Sequence, residues 1–196
     1  MPDDDPAAPE FWEKRYREGV TPWDAGRLPP AAREFIAALE GPVRVLVPGC
    51  GSAHDARAFA AAGHTVIAID FSEAALAAAR TVLGKWQSVL RLGDFFAADL
   101  GGPFDLVYER AFLCALPRRM WPAYAARVAQ VLRAGGRLAG FFYFSDAERG
   151  PPFGLKPGEL EALLGTAFTR ESDTPVESSI PAFAGKERWQ IWVKRA

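Results

Sequence analysis

The feature that most restricts how this chain can fold is an alternation that starts near Val43, where short apolar runs each give way to a stretch with helical spacing. That is the pattern of βαβ units, in which parallel strands are joined by crossover helices. Residues 43–47 read as a buried strand, ended by Pro48-Gly49-Cys50-Gly51. Ser52 is placed to cap a helix that runs to the stop signal Gly63. A second strand covers residues 65–70, and Ser72 caps an alanine-rich helix reaching about Leu83. Further strands are expected at 89–92, 104–108 and 137–144. A helix at 120–132 is followed by Gly135-Gly136, and another spans about 157–164. Two late strands, near 168–172 and 188–194, show the alternation of an antiparallel pair at one edge.

Seven strands in this order predict a doubly wound α/β fold. Its sheet is mostly parallel and seven-stranded, with helices on both faces and an antiparallel C-terminal edge. A chain of 196 residues holds one such domain and is too short for two ordinary ones. The expected organisation is therefore a single domain over 1–196, with residues 1–10 as a flexible acidic tail. Residues 11–40 form an N-terminal helical lid: two helical pieces separated by residues 19–26, packed as a cover on the sheet.

Charge narrows the partners. Lys and Arg number 23 against 24 Asp and Glu, a net charge of −1. That balance provides no footprint for nucleic acid or an anionic membrane and points to a small-molecule substrate. No run approaches the ~20 apolar residues of a membrane span, and the chain opens with no secretory segment. The expectation is a cytoplasmic monomer in which Cys50 and Cys114 are reduced, unpaired and inert.

In open α/β sheets ligands bind at the carboxyl ends of the strands, near the switch point. Gly49-Cys50-Gly51 stands there, and Asp70 ends the next strand 21 positions after Gly49, the place of an acid that accepts bonds from ribose hydroxyls. The plainer alternative is a tight turn with Asp70 capping a helix. A dinucleotide fingerprint needs a third glycine three residues after Gly51, where this chain has His54. S-adenosylmethionine has no phosphate and makes no such demand, so it is the expected cofactor. In Gly93-Asp94-Phe95-Phe96, Asp94 is placed to accept from the adenine amino group, with Phe95 on the ring face. Alone, this segment would read as a turn with two core aromatics. No metal is required.

These residues resemble the thiopurine S-methyltransferase family, especially its thiol and halide methyltransferase branch. The resemblance is carried by residues 12–26, with Thr21-Pro22-Trp23-Asp24 the most specific part, and by Val45-Leu46-Val47-Pro48-Gly49-Cys50-Gly51. Residues 93–96, 104–110, 112–116 and 150–153 continue it in the family's order. It implies a class I methyltransferase fold and cofactor contacts from Trp12, Tyr16, Trp23, Gly49, Asp70, Asp94, Phe95 and Arg110, with Gly51 completing the loop. Tyr16 stands where plant relatives often have Trp. Arg110 matches the thiopurine enzymes, where plant halide relatives commonly have Tyr, and so favours a thiol acceptor over a halide. Val47 replaces the acid that most class I enzymes carry two residues before the first glycine.

The expected chemistry is methyl transfer to a small soft nucleophile: a thiol, a thiopurine-like sulfur, or a selenium, tellurium or halide acceptor. Trp12 and Tyr16, four apart on one helix face, would surround the sulfonium cation with Trp23; the plainer alternative is a seam that docks the lid. Neither His54 nor His64 is placed to deprotonate a substrate, which suits an acceptor that ionises by itself. Arg110 is the candidate catalytic residue, holding that anion; its alternative is an ion pair with Glu109, Asp105 or Asp24. Asp24, Glu109 and Tyr108 are the only candidates for an unseen base. Two other readings stay open at this point: a nicotinamide-dependent oxidoreductase, and a non-catalytic ligand-binding domain.

Overall fold

The computed structural model describes residues 5–196. Of the expected N-terminal tail, residues 1–4 lie outside the described residues. The chain packs as two compact units, 1–99 and 100–196.

In the first unit, α1 (Pro9–Arg17) and α2 (Pro30–Ala37) each open on proline. The fixed φ and missing N–H of proline are harmless at that position. β1 (Arg44–Pro48), α3 (His54–Ala61), β2 (Thr65–Asp70), α4 (Glu73–Leu83) and β3 (Leu90–Leu92) follow, with a 3₁₀ turn at Gly84–Val89 before the last. β1 and β2 pair in parallel from Arg44–Thr65 to Pro48–Ile69, and β2 continues in parallel to β3 with Asp70 opposite Leu92. α1 lies against α4, and α2 against α3.

Helix α4 forms where the sequence places it. Ser72 Oγ accepts the Ala75 N–H at 3.0 Å, and Ala75, Leu76, Ala79 and Leu83 make one buried stripe. Burying the two leucines contributes about 1.5–3 kcal/mol each. Helix α3 corrects the expectation for Ser52. Its N-cap is Ala53, in the left-handed region at φ 60°, and no side chain caps it. The hydroxyl of Ser52 is instead committed to Asp24.

The second unit holds β4 (Phe104–Arg110), α5 (Trp121–Val131), β5 (Leu132–Tyr143), α6 (Glu159–Leu164), β6 (Phe168–Pro175) and β7 (Glu187–Lys194). β4 and β5 are parallel, while β7 runs antiparallel to both β5 and β6, as the two late alternating runs foretold. β5 differs from expectation by starting at Leu132, directly after α5. Gly135, at φ 69°, and a register shift between Phe104 and Leu106 let the strand absorb what read as a glycine loop. Gly140 has no alternative, since a Cβ there would collide with the Glu109 carbonyl of β4. Tyr108, Tyr124, Phe104, Phe142 and Phe168 fill the interior.

The seven strands form one sheet in the order β3-β2-β1-β4-β5-β7-β6, mostly parallel with an antiparallel edge.

Candidate functional site

The glycine loop leaves β1 with Gly49 and Gly51 at φ 55° and 51°, the left-handed region that glycine enters without strain. Asp70, at the end of β2, is 9% exposed and anchors this loop. Its Oδ2 accepts the Gly51 N–H at 3.0 Å, and its Oδ1 accepts the Ser72 N–H at 2.9 Å. Burial pushes its carboxyl up, and the backbone bonds from Ser72, Gly51 and Phe71 oppose that push. A carboxylate accepts about four hydrogen bonds, so Asp70 keeps capacity for a hydroxyl donor. Cys50, within the loop, is a neutral thiol, raised by burial and then by the charge of Asp70.

The next strand end hangs on the same residue. The Gly93 N–H donates to the Asp70 carbonyl at 3.0 Å, which sets Asp94 beside it. Asp94 is exposed, and its Oδ1 accepts the Phe96 N–H at 2.9 Å. Phe95, expected on a ring face, is only 3% exposed and packs inward, while Phe96 is half-buried. The two rings meet edge to face at 5.3 Å.

The N-terminal segment brings its three aromatics together. Trp12 and Trp23 pack edge to face at 5.3 Å, and Tyr16 and Trp23 at 5.9 Å, with Trp23 Nε1 donating to the Tyr16 hydroxyl at 3.3 Å. That hydroxyl occupies the space a Cβ on Gly51 would need, so Gly51 also makes room for the N-terminal segment. Burial raises the Tyr16 phenol and keeps it neutral. Two carboxylates fasten the segment. Asp24 Oδ2 accepts from Ser52 Oγ at 2.5 Å, with His54 Nε2 3.9 Å from Oδ1. Glu13 Oε2 accepts from Ser72 Oγ at 2.6 Å and from the Ala74 N–H at 3.0 Å. The sequence reading missed the role of Glu13, whose only local signal was an i,i+4 pairing with Arg17.

In the second unit, Arg110 ends β4 with its guanidinium 5.9 Å from the centre of the Phe141 ring. Of the acids considered as its ion-pair partners, Asp105 pairs with Arg133 at 2.6 Å, Asp24 accepts from Ser52, and Glu109 accepts from backbone N–H groups. The charge of Arg110 acts on Glu187, whose carboxyl is raised by burial and lowered in part by Ser179 and Arg110. Glu109 is 1% exposed. Its Oε1 accepts from Phe112 and Leu113 N–H groups at 2.8 and 2.7 Å, and its Oε2 has no hydrogen-bond partner among the described residues. Burial pushes this carboxyl up to about 7 against those two bonds. Leu113, Cys114, Phe141 and Phe153 line a cleft beside it too tight for a water molecule.

The profile of the thiopurine S-methyltransferase family matches residues 7–195. The chain belongs to that family. It is thus an S-adenosylmethionine-dependent methyltransferase, and the oxidoreductase and non-catalytic readings fall away. Thiocyanate methyltransferase 1 of Brassica oleracea is 33% identical to it, over 93% of this chain and 84% of that one. The thiopurine S-methyltransferase of Xanthomonas campestris pv. campestris (strain 8004) is 31% identical, over 81% and 83%. The 1,6-didemethyltoxoflavin-N1-methyltransferase of Burkholderia thailandensis, solved with S-adenosylhomocysteine, superposes with a TM-score of 0.79 at 22% identity, covering 96% of this methyltransferase and 87% of that chain. That likeness gives the class I methyltransferase fold.

The donor set of the first unit suits this cofactor. Asp70 keeps the acceptor capacity that a ribose hydroxyl would use, and Trp12, Tyr16 and Trp23 stand together as one aromatic cluster. Among the described residues, no helix is long and apolar enough to cross a membrane.

Proposed function

We propose that this methyltransferase is a cytoplasmic monomer that methylates the sulfur of a small thiol or thiopurine-like compound. The donor brings a methyl group on a sulfonium, already activated for in-line displacement. Asp70 holds the ribose, Gly49 and Gly51 allow close approach, and Asp94 accepts from the adenine. Trp12, Tyr16 and Trp23 offer their faces to the cation, worth ~0.5–2 kcal/mol each when desolvated. Arg110 holds the anionic sulfur.

The observation that carries the sulfur reading is the commitment of both histidines. His64 accepts the Val43 N–H through Nδ1 at 3.3 Å, and burial lowers its pKa; His54 sits at the start of α3 against Asp24. His64 has spent its acceptor nitrogen on the backbone and His54 lies against a carboxylate at the helix start, an arrangement that suits an acceptor supplying its own nucleophilic anion, as a thiol does. Relatives named for thiocyanate, thiol and thiopurine acceptors support the same choice. The balanced surface charge favours a small molecule over nucleic acid.

The test is a screen of purified protein with labelled donor against thiols, thiopurines, thiocyanate, iodide, and oxyanions of selenium and tellurium. Label is expected on thiols and thiopurines first. Transfer confined to oxygen or nitrogen acceptors would contradict the proposal.

A further inference from the structure

Helix α4 does not complete its own N-terminus. Of its first amides, Ala75 is satisfied by Ser72 Oγ, but the Ala74 N–H is satisfied by Glu13, 61 positions earlier in the chain. Glu13 Oε2 also takes the Ser72 hydroxyl proton, while its Oε1 pairs with Arg17 at 2.8 Å. The Ser72 hydroxyl is therefore fully used, donating to Glu13 and accepting from Ala75. The same residue's backbone N–H holds Asp70 Oδ1, and Asp70 Oδ2 holds Gly51. The path closes on its starting helix, because the Tyr16 hydroxyl rests on Gly51. Glu13 and Tyr16 lie three apart and so share one side of α1. One short helix thus touches both ends of a hydrogen-bonded circuit running through the strand-end carboxylate.

We propose that Glu13 is a positioning residue that couples closure of the N-terminal segment to the orientation of Asp70, and so to donor affinity. The proposal rests on the donor-site reading given above. With the segment in place, Glu13 completes the α4 cap and fixes Ser72, and Ser72 fixes one oxygen of Asp70. With the segment away, the Ala74 amide loses its partner and the Ser72 hydroxyl is free to rotate. Coupling between two sites is reciprocal: a ligand that bonds Asp70 must hold the segment closed to the same degree that the segment improves its binding. A carboxylate suits this post because the positive end of the helix dipole favours an anion there. Burial raises the Glu13 carboxyl, but the bonds from Ala74 and Ser72 and the charge of Arg17 outweigh it and leave Glu13 ionised.

The experiment combines calorimetry with S-adenosylhomocysteine as probe and amide exchange on the free proteins, for wild type, Glu13→Gln, Ser72→Ala and the double variant. Glu13→Gln is expected to weaken probe binding about tenfold, the scale of a hydrogen bond to a charged group. The double variant is expected to bind no more weakly than the worse single one, because the two residues act in one path. In the free Glu13→Gln protein, exchange should rise together in residues 9–26 and 70–76. Unchanged affinity with unchanged exchange at 70–76 would reduce Glu13 to a surface ion pair and overturn the proposal, and so would losses that multiply in the double variant. A wild type that fails to bind the probe would overturn the donor-site reading instead, while the exchange data would still decide whether α1 and the Asp70 turn open together.

Discussion

Asp70 and Glu109 are both buried carboxylates at the end of a parallel strand, and both accept backbone N–H groups. They differ in how those bonds are shared. Asp70 accepts on both oxygens, from two different segments, and so ties the glycine loop to the start of α4. Glu109 takes both on Oε1, from neighbouring residues of one turn, and leaves Oε2 without a hydrogen-bond partner among the described residues. The first arrangement supports the charge from two sides and leaves acceptor capacity to spare. The second leaves half of a buried carboxylate unsolvated, which favours the protonated form and explains a value near neutrality. Two acids that look equivalent in a sequence thus become a tie between two segments and an anchor within one turn.

The largest effect should come from deepening that contrast through pH. Because the folded-state value of Glu109 lies near 7 and that of the unfolded chain near 4.5, the native state binds the extra proton in between. Stability contributed by that proton is complete below about pH 4.5 and is lost as pH rises through 7, a change of up to about 3 kcal/mol. Glu109→Gln should remove this dependence, so that the variant gains on wild type between pH 5 and 8 in urea unfolding. Parallel curves for the two proteins would show that Glu109 is ionised throughout and that the contrast with Asp70 is false.

Asp70→Ala should weaken S-adenosylhomocysteine binding by ~1.5–3 kcal/mol, the usual cost of losing hydrogen bonds to a charged group. Calorimetry checks it, and binding left intact would return Asp70 to a capping role. Arg110→Ala should slow thiol acceptors about tenfold or more in kcat/KM, with Arg110→Lys recovering only part because the planar fork is lost. A full recovery by lysine would mean that only the charge matters. The smallest expected signal is in exchange: residues 11–26 should be more protected with donor product bound than without it. Equal protection would leave the aromatic cluster as a docking seam.

Much of this was legible from local chemistry. The Ser72 cap and the bounds of β2 follow from a hydroxyl before an alanine-rich run and from an apolar run closed by an acid. Trp12, Tyr16 and Trp23 were legible as a group because helical spacing puts the first two on one face. What the sequence hid was long-range. Ser52 looks like a helix cap until Asp24, 28 residues away, claims its hydroxyl. Glu13 looks like half of a surface pair until α1 docks on α4 and a bond spanning 59 residues appears. In Phe95-Phe96 nothing local says which ring turns inward. The early start of β5 was masked by Gly135-Gly136, which reads as a loop unless a strand bulge takes it up.

The central claim is that the acceptor reaches the donor already ionised, with no base supplied by the protein. The most direct measurement is kcat/KM against pH for a series of thiols of graded acidity, at saturating S-adenosylmethionine. The account predicts a midpoint that moves with each thiol's own pKa, because the thiolate is the reacting species. A midpoint that stays fixed across the series, and disappears when Asp24, Glu109 or Tyr108 is replaced, would show a general base at work and contradict it.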